Sequence, residues 1–244
     1  MKETVNSERR EFIRKSGILL TTVAVMQSSR LLAEGTAKLN PEKGSKGEKE
    51  IEISPVEDLM REHGVLARIL LIYDEIISRL HRGTEFPPDV LANSTGHIRR
   101  FVEDYHEKLE EEYLFPRFEK AGKLVDLVKI LLQQHRAGRH LTDHIRGLAS
   151  LPSLKSPAEN AELAKYLGFF TRMYRPHKAR EDTALFPAFH SVVSRKEFDS
   201  LGDIFEDEEQ KLFGKKGFER VVGEVAILEK KLGVYELSGF TPEL

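Results

Sequence analysis

Two stretches of this chain carry the same pattern of donor side chains. His106, Glu110, Glu111, Leu114, Phe115 and Pro116 stand in the order H-x3-E-E-x2-L-F-P. His177, Glu181, Asp182, Leu185, Phe186 and Pro187 repeat it as H-x3-E-D-x2-L-F-P. On a helix, residues four apart lie one above the other on one face. Each stretch therefore presents an imidazole and a carboxylate as a two-pronged ligand set. A mixed N/O pair suits iron, manganese or zinc rather than calcium or copper(I). A single H-x3-E is a weak signal, because most such pairs are solvated neighbours. Two copies with the same Leu-Phe-Pro ending are a strong one.

The repeat extends towards the N-terminus. Leu59-Met60-Arg61-Glu62-His63 resembles Leu131-Leu132-Gln133-Gln134-His135. The offset between the lone histidines nearly equals the offset between His106 and His177, so this is a two-fold internal repeat of a helical pair. Each half supplies one lone His and one H-x3-E. The candidate metal ligands are His63, His106, Glu110, His135, His177 and Glu181. Buried carboxylates cost many kcal/mol unless they are paired, and a pair of cations would remove that cost. If both Glu bridge, each metal receives two nitrogens and two oxygens from the protein. A bridging oxide or hydroxide makes five, leaving one open position per metal for O2, NO or peroxide. Glu111 and Asp182 occupy matching positions; either they accept hydrogen bonds from ligand histidines or they lie on a solvated face. His81, His97, His140, His144 and His190 fall on other faces or too far along the chain, and are expected to be non-ligands.

Long helices must position these groups. Ser54-Pro55-Val56-Glu57 and Ser156-Pro157-Ala158-Glu159 read as helix starts, with Ser as cap and Pro at the first helical position. The pattern predicts helices over about 55–80, 89–114, 124–148 and 157–186. Each Leu-Phe-Pro is expected to end or kink its helix, and Pro176 to bend the fourth. No alternating runs or Asn-Gly hairpins signal strands. Short connections make neighbours antiparallel, so the expected fold is all-α, an up-down-up-down antiparallel four-helix bundle. Residues 191–244 read as a C-terminal helical extension that starts at Ser194 and breaks near Gly214, with an apolar stripe through Val221, Val222, Val225, Ile227 and Leu228. It is expected to cover the bundle and to carry no chemistry.

Composition narrows the function. The net charge of −2 gives no basic footprint for nucleic acid. The absence of cysteine excludes disulfides, thiolate zinc sites and cysteine-ligated iron–sulfur clusters. Ser7-Glu8-Arg9-Arg10-Glu11-Phe12-Ile13-Arg14-Lys15 resembles a twin-arginine export signal, followed by an apolar run too short to span a bilayer. The chain therefore reads as a signal segment over 1–37, a linker over 38–53, a metal-binding bundle over 54–190 and the extension. Its expected location is periplasmic or otherwise exported, tethered to the inner membrane if the signal is kept. The twin-arginine export machinery is the implied partner.

From Ser54 to Pro187 the two H-x3-E elements and the two lone histidines resemble the hemerythrin-like, or HHE cation-binding, family. The resemblance implies a four-helix bundle around a non-haem di-iron centre, oxo- or hydroxo-bridged. His63, His106, His135 and His177 would be terminal ligands, with Glu110 and Glu181 as bridges. Arg139 stands where oxygen-carrying hemerythrins have a further histidine, and the last helix has H-x3-E in place of their H-x4-D. The four-His, two-Glu set is similar to bacterial iron-centre repair proteins, without their Cys-bearing N-terminal region. The expected function is reversible binding of O2 or NO for sensing, buffering or delivery. The alternatives are a di-iron oxidoreductase turning over peroxide or NO with an external redox partner, and iron storage or donation.

Overall fold

The computed structural model describes residues 53–149 and 156–243. The signal reading over 1–37, all but the last residue of the linker, and the loop at 151–155 lie outside the described residues. Among those described there are six helices and no strand.

Helix α1 (Pro55–Arg82) opens as the sequence predicts. The Ser54 hydroxyl accepts the Glu57 N–H at 3.3 Å, and Pro55 occupies the first turn, where a missing N–H costs nothing. It closes on Gly83 at φ 64°, a left-handed position that suits glycine. Helix α2 is one continuous helical stretch. It begins as α-helix (Pro88–His97), passes through a π-helical stretch (Ile98–His106), a short α segment (Glu107–Leu109) and a second π-helical turn (Glu110–Leu114), and ends as α-helix (Phe115–Ala121). Helix α3 spans Val125–Ala149. Helix α4 repeats the device of α2: α-helix (Pro157–Arg180), a π-helical turn (Glu181–Leu185), then α-helix again (Phe186–Phe189). Helices α5 (Arg195–Phe213) and α6 (Gly217–Leu232) follow.

Two sequence expectations need correction. Neither Leu-Phe-Pro ends its helix. In each, the π-helical turn sits just before the proline, so the helix passes Pro116 and Pro187. The wider turn accommodates a residue that lacks an N–H and would clash in a regular α-turn. Pro176 lies inside helix α4, where the sequence puts it. Ser156 precedes α4 but its side chain accepts no capping hydrogen bond, whereas Ser194 accepts the Glu197 N–H at 3.2 Å.

Helices α1, α2, α3 and α4 pack in a closed ring, each against the next and α4 against α1. Leu59, Leu66, Ile69, Tyr73 and Ile76 of α1 are buried in the shared core with Phe101, Leu114 and Phe118 of α2 and Leu163, Leu167 and Phe170 of α4. Helices α5 and α6 pack on α1 and α2. Their stripe is buried at Val221, Val225 and Leu228, while Ile227 faces outwards at 55% exposure. Gly138 on α3 is required sterically: a Cβ there would stand 1.9 Å from the Tyr174 hydroxyl of α4. No helix among the described residues is long and apolar enough to cross a membrane.

Candidate metal centre

The two halves of the repeat converge in the interior. His63 comes from α1, His106 and Glu110 from α2, His135 from α3, and His177 and Glu181 from α4. All six are buried, with both carboxylates fully enclosed. Donor atoms of His63, His106 and Glu110 gather in one group, and those of His135, His177 and Glu181 in another, each within 4.8 Å.

The carboxylates tie the two groups together. Glu110 sets Oε1 at 3.7 Å from His106 Nε2 and Oε2 at 3.4 Å from His135 Nε2. Glu181 sets Oε1 at 3.1 Å from His177 Nε2 and Oε2 at 3.3 Å from His63 Nε2. Each Glu thus gives one oxygen to each histidine pair. None of these four oxygens has a hydrogen-bond partner. Buried carboxylate oxygens are almost always satisfied, and here the natural partner is a cation. Two donors about 2.1 Å from one metal at right angles lie about 3 Å apart, close to the spacings found.

The outward nitrogens are held in place. With the Nε2 atoms facing inwards, each Nδ1 donates to an acceptor: His63 to Asp182 at 2.7 Å, His106 to Glu62 at 2.8 Å, His135 to Glu111 at 3.1 Å and His177 to the Gln134 amide oxygen at 2.9 Å. Such partners fix the tautomer and ring plane of a metal-ligating histidine. Glu111 and Asp182, which the sequence left between two roles, face His135 and His63. The phenylalanines of Leu-Phe-Pro stack on the same lone histidines, Phe115 on His135 and Phe186 on His63, with ring centroids 5.4 Å apart in both. Phe and acid reach the same ring because Glu111 and Phe115, and Asp182 and Phe186, stand four residues apart on one helical face.

Electrostatics favour the neutral, ligand-ready ring at His106 and His135 and act the other way at His63. Burial, then the neighbouring His63, holds His106 well below the usual histidine range, and burial also lowers His135. For His63 burial pulls down, but the Asp182 and Glu181 carboxylates outweigh it and raise the ring. Burial, then the charge of Glu181, pushes Glu110 well up. Burial acts the same way on Glu181, but His177 and His63 overcome it and hold that carboxyl down. Burial raises Glu111 too, yet bonds from His135, Lys108 and Arg139 bring it to about 2.

Sequence reasoning missed Glu62 and Gln134, although both stand at matching places in the repeat, one residue before each lone histidine. It also missed a buried polar network beside His135. Arg139 binds Glu111 at 2.7 Å and Glu107 at 2.8 Å. Tyr174 donates to Glu107 at 2.6 Å, and Thr142 to Glu103 at 2.5 Å. His81, His97, His140, His144 and His190 join no donor group among the described residues. His97 instead faces Glu224 of α6 at 3.6 Å, and His190 stacks on Phe198.

Residues 54–189 match the family model described as the hemerythrin HHE cation binding domain. Uncharacterized proteins of Mycobacterium bovis and of two strains of Mycobacterium tuberculosis are each 48% identical to this chain over 195 residues, covering 80% of it and 76% of their own length. No solved structure matches the chain.

Proposed function

We infer the function from the premise that this chain belongs to the hemerythrin HHE cation-binding domain family. We propose that residues 54–190 form an up-down-up-down bundle around a non-haem di-iron centre that binds O2 or NO reversibly, for sensing, buffering or delivery. His63, His106, His135 and His177 are the terminal ligands, and Glu110 and Glu181 the bridges. One observation carries this reading: two buried glutamates each direct one unpartnered oxygen to each of two histidine pairs. When bound, the metal pair supplies redox-active positions for a diatomic ligand. The chain's residues do the rest. Asp182, Glu62, Glu111 and Gln134 orient the rings, Phe115 and Phe186 pack against them, and the aliphatic and aromatic core excludes water.

Arg139 occupies the position of a further histidine in oxygen carriers. A guanidinium cannot ligate a metal; it pairs with Glu107 and Glu111 instead, and the centre keeps four histidines. The twin-arginine-like segment and the lack of cysteine support export to the periplasm, where an accumulation of the full chain in the cytoplasmic fraction would contradict it.

The ligand reading is tested by adding O2, and separately NO, to chain loaded anaerobically with ferrous iron, then sparging with argon. A spectrum that changes with the gas and returns on sparging is the expected result. Continued consumption of peroxide or NO with a chemical reductant would assign an oxidoreductase. Inertness to O2, NO and peroxide would assign storage or donation.

A further inference from the structure

The two histidine pairs look alike at the donor atoms and differ just outside them. His106 donates to the carboxylate of Glu62, whereas His177, its counterpart, donates to the neutral amide of Gln134. Further acids stand behind both pairs: Asp58 and Glu209 lie within 4.8 Å of Glu62, with Arg61 3.4 Å from Asp58, and Glu107 lies within 4.8 Å of Glu111 and His135. The lone histidines differ as well. His63 donates to Asp182, whose other oxygen lies 3.7 Å from Lys178. His135 donates to Glu111, whose other oxygen lies 3.0 Å from Lys108. Each of these carboxylates has a lysine on its other oxygen, the nearer one on the His135 side. Arg139 has no such counterpart: it binds the same Glu111 oxygen that accepts from His135, at 2.7 Å, and the repeat aligns it with Ala67. Part of the Arg139 charge is met by Glu107.

These differences act in one direction. A carboxylate that accepts an imidazole N–H makes the opposite nitrogen more basic and a stronger donor. An amide oxygen holds the ring with the same geometry but adds no charge, and a guanidinium on the accepting carboxylate withdraws some of it. Both weakening features, the Gln134 amide and the guanidinium on Glu111, fall on the His135–His177 pair.

We propose that the two seats are unequal: His63 and His106 form a tight seat that fills first, and His135 and His177 form a weaker seat that exchanges its divalent cation. Gln134 and Glu62 set the difference as positioning residues outside the ligand shell. This rests on the two-metal reading above. It gives the centre one retained ion and one that can leave and return.

The test is an anaerobic titration of the metal-free full chain with Co2+, followed by visible absorbance and calorimetry. Repulsion between two ions would by itself separate the steps, so the variants decide. Gln134→Glu should tighten the second step by about tenfold or more and leave the first unchanged. Glu62→Gln should weaken the first step by a similar factor and narrow the gap. Gln134 is partly exposed, so its variant decides the matter if Glu62→Gln does not fold. Two Co2+ bound with a second step unmoved in Gln134→Glu, or with the first step moved instead, would overturn the inequality and leave the two-metal centre standing. Fewer than two Co2+ in the unmodified chain would overturn both.

Discussion

Glu110→Ala and Glu181→Ala should each yield a folded helical chain that holds no more than one metal ion. Both carboxylates are fully buried, and each spans the two histidine pairs with its two oxygens. Removing either takes one oxygen from each metal and takes away half the negative charge that lets two cations lie side by side. Two imidazoles and one carboxylate oxygen still suffice for a single ion, but the second ion then meets the repulsion of the first with only one bridging charge left to offset it. The fold does not depend on these groups. The helix ring is held by a continuous apolar core, and in the metal-free chain the Glu110 and Glu181 oxygens have no hydrogen bond to lose. Metal content per chain and far-ultraviolet circular dichroism measure both parts. Two ions retained by both variants would refute the bridging assignment.

Loading with metal should raise the thermal midpoint by about 10 °C or more, and Glu110→Gln should abolish most of the rise. An ion that binds only the folded chain stabilises it by about 4 kcal/mol when its concentration is a thousand times Kd. For a domain of this size each kcal/mol moves the midpoint by about 2–4 °C. The metal-free state carries its cost at Glu110, fully buried with no hydrogen bond to either oxygen. Burial, together with Glu181, pushes Glu110 well above the carboxylate range, so its ionised form opposes folding in the absence of a cation. Gln at position 110 keeps the shape and removes that charge. The metal-free variant should therefore be as stable as the parent or more so, while gaining much less from metal. Residues kept at a cost in the empty state mark a site shaped for its ligand. Scanning calorimetry with and without ferrous iron under argon gives the comparison; a variant that gains as much as the parent would refute it.

The donors could be read from the sequence because the repeat preserved both residue type and phase. His106 with Glu110, and His177 with Glu181, needed only helical geometry, and the repeat supplied His63 and His135. The helix boundaries at Leu-Phe-Pro could not be read in the same way. A proline signals a break when an α-turn is assumed, and nothing local in the sequence announces that a π-helical turn will absorb it. Phe115 and Phe186 share a face with Glu111 and Asp182, but that this face meets His135 and His63 depends on packing and followed only from the structure. Glu62 and Gln134 lie about 100° round the helix from their neighbouring histidines. Their partners are on other helices, and which helix that is depends on packing rather than spacing. Glu103, Glu107 and Glu111 recur at four-residue intervals along α2. Arg99, Arg139, Thr142 and Tyr174 from three helices meet them, and that allows Glu103 and Glu107 to be buried. The extension was read as carrying no chemistry, yet α5 brings Glu209 beside Asp58 and Glu62.

The most direct test of the central claim is the metal content and optical spectrum of the full chain loaded with ferrous iron under argon, recorded before and after oxygen is admitted. The account predicts about two irons per chain and a near-ultraviolet oxo-to-iron band that appears on oxidation. One zinc or no metal, with a spectrum that oxygen leaves unchanged, would contradict it.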